Sequence, residues 1–240
     1  MIEQFVTHVL DNIPFDPDLP WLFKRLRIKE GSVNHTELGH LIDQARPIGR
    51  PKALYQVSYI TDRSEEWVEI QGERFNSRVL SVNLKNSHRV FPYLATCGSE
   101  LQEWAASFDD MLLNYWAEIV KEAALFNAIR VLFESLDQRY RPGHTASMSP
   151  GSLQDWPIQQ QTPLFHLFGG YTAQIGVRLT DSLLIVPTKT VSGIRFPTEA
   201  DFESCELCPR EGCPGRRAVY NAELYDSRYC RQNGLGQEKN

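Results

Sequence analysis

The sequence predicts an α+β fold built on antiparallel strands. Three observations carry that prediction. Helical periodicity is concentrated in the middle of the chain, over roughly 99–136. The later strand-like segments are short, close together and separated by turn residues, as antiparallel pairing requires. Helices and strands are partly segregated instead of alternating regularly, which argues against a parallel βαβ sheet. A hydrophobic content of 42%, with 11% aromatic residues, is enough for a buried core.

In chain order, residues 1–50 are expected to form an N-terminal helical region. A helix is predicted from Asn34, with Glu37 as reciprocal capping partner, to Ala45 before Pro47. Strands are predicted over 54–60, 66–70 and 90–94. Ser99 and Gln102 have the spacing of a capping box, and Ser107 or Asp109 is placed to cap a longer helix running to about residue 136. Within it Leu112, Tyr115, Trp116, Ile119, Ala123, Phe126, Ile129 and Phe133 recur at helical spacing, a wide stripe that should lie on a sheet. Residues 139–157, with Pro142, Pro150, Pro157, Gly143 and Gly151, have the composition of a linker. A helix over 159–168 should stop at Gly169-Gly170, where Gly170 could be replaced only at a conformational cost. Strands over 174–179, 183–186 and 191–196 follow. The domain boundaries predicted are therefore 1–50, 51–200 and 201–240.

Charge and patterning exclude several classes. The net charge of −5 leaves no basic surplus for phosphates, so no nucleic-acid partner is expected. The N-terminal stretch has no basic region before an apolar run, and no segment reaches the roughly 18–20 apolar residues of a membrane span. A soluble, cytoplasmic protein without membrane contact is the expectation. No glycine-rich loop with a following acidic ribose-binding residue marks a Rossmann-type methyltransferase.

The segment Arg139-Tyr140-Arg141-Pro142-Gly143-His144 has a specific pattern. It is followed by a predicted helix, then by Gly176, Leu179-Thr180 and Ser182, by Pro187, and by Val191-Ser192-Gly193. Upstream stands Ala95-Thr96-Cys97-Gly98 with Glu100-Leu101 after it. In this order the motifs resemble the activation domain of cobalamin-dependent methionine synthase, which carries Arg-x-x-Pro-Gly-Tyr, Gly-x-x-Leu-Thr-x-Ser, Val-Ser-Gly and Ala-Thr-x-Gly segments. The matches extend over about 75–197, roughly half the chain. The resemblance implies a mainly antiparallel twisted sheet with long helices packed on it, and a site for S-adenosylmethionine across 51–200.

The same resemblance assigns residues. Arg139 takes the family's arginine position, and a guanidinium offers a planar fork of donors to the ligand's α-carboxylate. Without the resemblance, Arg139 reads as a solvated arginine at a helix C-terminus. Pro142, Gly143, Ser192 and Gly193 would let the backbone approach the ligand closely. His144 replaces the family's tyrosine; imidazole can contact or ligate a corrinoid, or simply bind water in a loop. The chain also departs from the family after Phe196, where ligand-contacting tyrosines are expected, and over its first 50 residues.

Five cysteines are present, and four fall in the last 36 residues. Cys205-x-x-Cys208, Cys213 and Cys230 have a spacing that suits a metal shell, either zinc or a 4Fe–4S cluster. The polar end of the chain also leaves a three-ligand version without Cys230. Cys97, at a strand-to-helix turn, reads as a buried structural thiol.

The implied function is reductive reactivation of methionine synthase or a related corrinoid methyltransferase. S-adenosylmethionine would be the methyl donor, cobalamin would arrive on the corrinoid-binding partner, and an electron donor protein would supply the reductant. No general base is called for, so no catalytic residue is assigned. Reactivation consumes electrons, which favours the cluster over zinc. The alternative is an iron–sulfur electron-transfer or structural metal-binding module without S-adenosylmethionine activity.

Overall fold

The computed structural model describes residues 5–199, 202–213 and 216–230. Its centre is a seven-stranded sheet in which every pairing is antiparallel. The strands are β1 (Val6–Leu10), β2 (Lys52–Arg63), β3 (Trp67–Ile70), β4 (Glu73–Asn76), β5 (Arg89–Thr96), β6 (Thr145–Met148) and, later in the chain, β9 (Thr190–Pro197). Their order is β4-β3-β2-β5-β9-β6, with β1 also paired to β2. A shift in register at Ile60/Asp62 marks where β2 leaves its straight ladder and takes β3 as neighbour.

Side-chain alternation explains how one sheet serves two cores. Ala53, Tyr55 and Val57 of β2 join Phe91, Tyr93 and Ala95 of β5 on one face. Helix α5 (Met111–Tyr140) covers that face with Ala128, Leu132 and Leu136. Leu54, Val90, Leu94, Ile194 and Phe196 point to the other face, where Phe75, Trp156, Leu164 and Phe168 pack. Helices α1 (Leu19–Leu26), α2 (Val33–Ala45) and α4 (Ser99–Ala106) build a third cluster on the first half of α5, through Leu22, Leu38, Leu41, Leu101, Trp116 and Val120. The remaining α-helices among the described residues are α3 (Arg78–Asn83), α6 (Gln161–Phe168), α7 (Tyr171–Gln174) and α8 (Leu224–Arg228). No described helix is long and apolar enough to cross a membrane.

Several expectations are corrected in detail. The first 50 residues contain strand β1 as well as helices. Helix α2 is capped by Ser32, whose Oγ accepts from the His35 amide at 3.2 Å, not by Asn34. No capping box forms at Ser99. Gly98 is the cap residue at φ 92°, and Gln102 Oε1 instead accepts from the Thr188 amide and hydroxyl. Asp110, not Ser107 or Asp109, caps α5 by accepting from the Leu112 and Leu113 amides at 2.9 Å. Of the predicted stripe, Leu112, Tyr115 and Phe126 are exposed. Alanines 117, 124 and 128 lie inside instead, where small side chains let the helix approach its neighbours closely.

The 139–157 stretch is not a linker. It finishes α5, forms edge strand β6 and buries Ala146, Met148, Leu153 and Trp156. Of the late strands, only Arg178–Leu179 (β7) and Ile185–Val186 (β8) pair with each other, while 171–174 are helical and β9 inserts between β5 and β6. Gly169 carries the positive φ that ends α6. Gly170 sits at φ −69° with open space around it, so the expected cost of replacing it is absent.

Candidate functional site

Helix α5 ends at a turn that opens onto a groove. Arg141 takes the left-handed conformation (φ 44°) and its amide closes on the Asp137 carbonyl at 3.0 Å. Pro142 cannot prolong the helix, and Gly143 follows at φ 75° with nothing near its would-be Cβ. Two left-handed residues in three turn the chain sharply into β6. Gly143 is there for its backbone conformation, not for want of space.

Pro142 and His144 form one wall of a 910 Å³ groove. Its other walls are the 82–89 segment between α3 and β5, the end of β9 at Pro197 to Glu199, and Arg228 of α8. Among its described lining residues Lys85, Arg89 and Arg228, with the imidazoles of His88 and His144, outnumber one carboxylate, Glu199. The groove is therefore rich in donors and suited to a polar ligand carrying an anionic end. Its loop wall is rigidly held. The Arg63 guanidinium donates to the carbonyls of Leu84 (2.8 Å), Lys85 (2.5 Å) and Ser87 (2.8 Å). Ser87 Oγ donates to the Pro197 carbonyl at 3.0 Å, joining the loop to β9. His144 Nδ1 lies 3.3 Å from the Thr198 carbonyl oxygen.

Arg139 is exposed on the last turn of α5 and does not line the groove. It makes no hydrogen bond or ion pair among the described residues. Tyr140 connects it to the groove, because the Arg89 guanidinium lies 5.8 Å from the Tyr140 ring and 5.3 Å from Phe91. Behind Tyr140, its hydroxyl is 2.6 Å from His8 Nε2. Burial, and then the positive charge of Arg139, hold the His8 pKa below its ordinary value. Burial raises the Tyr140 phenol, with the neighbouring Tyr55 adding to it.

Ser192 and Gly193 are not brought to this turn. They lie inside β9, not in a bend, with Ser192 buried and its hydroxyl donating to Gln161 Oε1 at 2.7 Å. Register places Thr145 opposite Pro197 and Met148 opposite Ile194. Gly193 thus sits near the far end of β6 from the Pro142-Gly143 turn. Its role is close packing against the Met148 carbonyl and the Tyr93 ring. The groove residues without a signal in the sequence include Asn83, Lys85, Arg89 and Arg228. In sequence they are ordinary polar residues at a helix end, a loop, a strand start and a tail, and no motif marks them.

The four clustered cysteines are all free thiols. Among the described residues no group of three or more His, Cys, Asp or Glu side chains is placed to hold a metal, so the shell expected from Cys205, Cys208, Cys213 and Cys230 is not assembled. An arginine organises the loop instead. The Arg216 guanidinium donates to the carbonyls of Cys205 (3.0 Å), Cys208 (3.0 Å), Arg210 (2.5 Å) and Ala218 (3.1 Å). Cys230 Sγ donates to Asp226 Oδ1 at 3.2 Å, and that bond raises its pKa. Pro214 and the last ten residues, part of the predicted metal tail, lie outside the described residues. Cys97 is fully buried, as expected of a structural thiol, and burial pushes its pKa up to about 11.

No protein-family model matches the chain, and no curated protein matches it in sequence. A match exists among solved structures. The chain is similar to a crystal structure of the MetH reactivation domain bound to AdoHcy, with a TM-score of 0.60. The two share 14% identity over 84% of this chain and 81% of that one. At this identity the likeness establishes the fold: an antiparallel sheet carrying helices, in the arrangement of that reactivation domain.

Proposed function

We propose that the protein binds S-adenosylmethionine at the groove beside the Arg139-to-His144 turn and uses it to reactivate a corrinoid methyltransferase. The observation that carries this reading is the turn itself. The one segment with the family's Arg-x-x-Pro-Gly pattern ends the long helix and lines a donor-rich groove. The fold likeness to a domain bound to AdoHcy supports it.

Arg139, exposed and uncommitted on the last turn of α5 outside the groove, takes the α-carboxylate in this reading, with Arg89 offering a second guanidinium from the groove wall across Tyr140. Pro142 and Gly143 present backbone to the ligand, and His144 faces the partner's corrinoid. Cobalamin on the partner, reduced by an electron donor protein, would supply the acceptor for the sulfonium methyl group, the C–S bond breaking and S-adenosylhomocysteine being released from this chain. This chain's task is proximity, holding the methyl group where the partner's cobalamin can reach it. No step of this reading is routed through zinc or a 4Fe–4S cluster.

Calorimetry with S-adenosylhomocysteine tests the reading. Binding is expected, and Arg139→Ala should weaken it by about 1.5–3 kcal/mol as a charged hydrogen bond is lost. A folded protein that takes up neither S-adenosylhomocysteine nor S-adenosylmethionine would remove the proposal.

A further inference from the structure

The tail beyond residue 201 is given no ligand contact in the function proposed above, yet it reaches the groove through Arg228. Tyr229 is fully buried, and its hydroxyl donates to Asn83 Oδ1 at 3.1 Å. Its carbonyl accepts from Arg78 Nε. These bonds fix the residue beside it. Arg228 lines the groove, donates through Nη2 to the same Asn83 Oδ1 at 3.3 Å, and rests its guanidinium 5.5 Å from the Tyr229 ring. Only this one hydrogen bond engages it among the described residues, which leaves most of the five N–H donors of its planar fork for another partner.

Position decides which part of a ligand that fork would meet. The Pro142–His144 wall lies at the start of β6, whereas Asn83 Nδ2 is 4.0 Å from Sδ of Met148, the last residue of β6. The two sites are thus separated by about 10 Å along the strand. If the amino-acid end of S-adenosylmethionine is held near Arg139, the nucleoside extends toward Asn83 and Arg228. We infer that Arg228, supplied by the cysteine-rich tail, is a nucleoside-binding residue, its fork bonding to or stacking on the adenosine while Asn83 and Tyr229 hold it in place. This rests on the proposed function and adds the tail to its site.

Two ligands and two variants separate the possibilities. S-adenosylhomocysteine has both ends, whereas 5′-methylthioadenosine keeps the nucleoside and sulfur but lacks the amino acid. Arg228→Ala should weaken both by a similar factor, about ten-fold. Arg139→Ala should weaken only S-adenosylhomocysteine. Arg228 is exposed, so the variant should keep the wild-type near-ultraviolet circular dichroism of the docked Tyr229. Arg228→Lys keeps the charge but loses the planar fork, and should recover less than half of the lost binding energy. If the wild type binds S-adenosylhomocysteine and Arg228→Ala leaves 5′-methylthioadenosine affinity within two-fold, the inference is overturned while the proposed function stands. Wild-type binding of S-adenosylhomocysteine without any of 5′-methylthioadenosine would overturn it too, since the nucleoside would have no recognition of its own. Binding of neither ligand by the wild type overturns the proposed function itself.

Discussion

A β-carbon added at Gly193 would lie 2.5 Å from the Met148 carbonyl oxygen and 2.8 Å from the Tyr93 hydroxyl. Backbone in a paired strand cannot yield cheaply, so Gly193→Ala should cost about 1–3 kcal/mol in urea denaturation. Gly170 is the opposite case, with φ −69° and open space. Gly170→Ala should raise stability by about 0.4–1 kcal/mol, because it restricts only the unfolded chain. Pattern alone could mark both glycines but could not distinguish strain from crowding, which depends on chain segments distant in sequence. His8 gives a pH signature. Its folded pKa is lowered, first by burial and then by Arg139, so the fold favours neutral imidazole. That contribution is present above the unfolded value near 6.5 and is lost as pH falls through the lower folded value. An NMR titration should place His8 below 6.5, and Arg139→Ala should move it upward.

At the scale of elements, helix α5 was legible because its apolar residues recur over many turns, but its start was not. Ser107, Asp109 and Asp110 all have side chains able to cap. Only geometry shows that Ser107 closes the preceding helix, donating to the Trp104 carbonyl at 2.7 Å, while Asp110 serves two amides of α5. Asp110→Ala should therefore cost about 1 kcal/mol by thermal unfolding, and Asp109→Ala almost nothing. Equal effects would discard this assignment. Strands β1 and β6 were hidden for a related reason. Each is a short edge strand of four or five residues, too brief for alternation to show, and β6 follows a Pro-Gly turn that reads as a linker. The Arg-x-x-Pro-Gly segment was legible because its chemistry is local. The opposite wall of the groove was not, since Lys85 and Arg89 gain meaning only when β5 and β9 bring their loop beside it.

For the molecule as a whole, the question is whether the cysteine-rich end is an appendage or part of the body. Composition sets it apart, with four thiols, two prolines after cysteines and a polar end. Packing joins it on. Phe202 and Tyr229 belong to the same buried cluster as Leu54, Phe75 and Trp156, and Leu207 and Leu224 lie against that cluster. Arg78 extends this attachment, bonding the Tyr229 carbonyl on one side and Glu65 and Glu66 on the other. A segment that places two aromatic side chains in the central core should not unfold independently. Urea denaturation followed by tryptophan fluorescence and by reactivity of the tail thiols should then give coincident, single transitions. Tyr229→Ala should shift both together, with a loss of about 3–5 kcal/mol for an emptied aromatic site. If the thiols become reactive well before the fluorescence changes, the tail is an independent unit. Arg228 could not then be a fixed wall of the groove, and the route from Tyr229 through Asn83 to the ligand would fail with it.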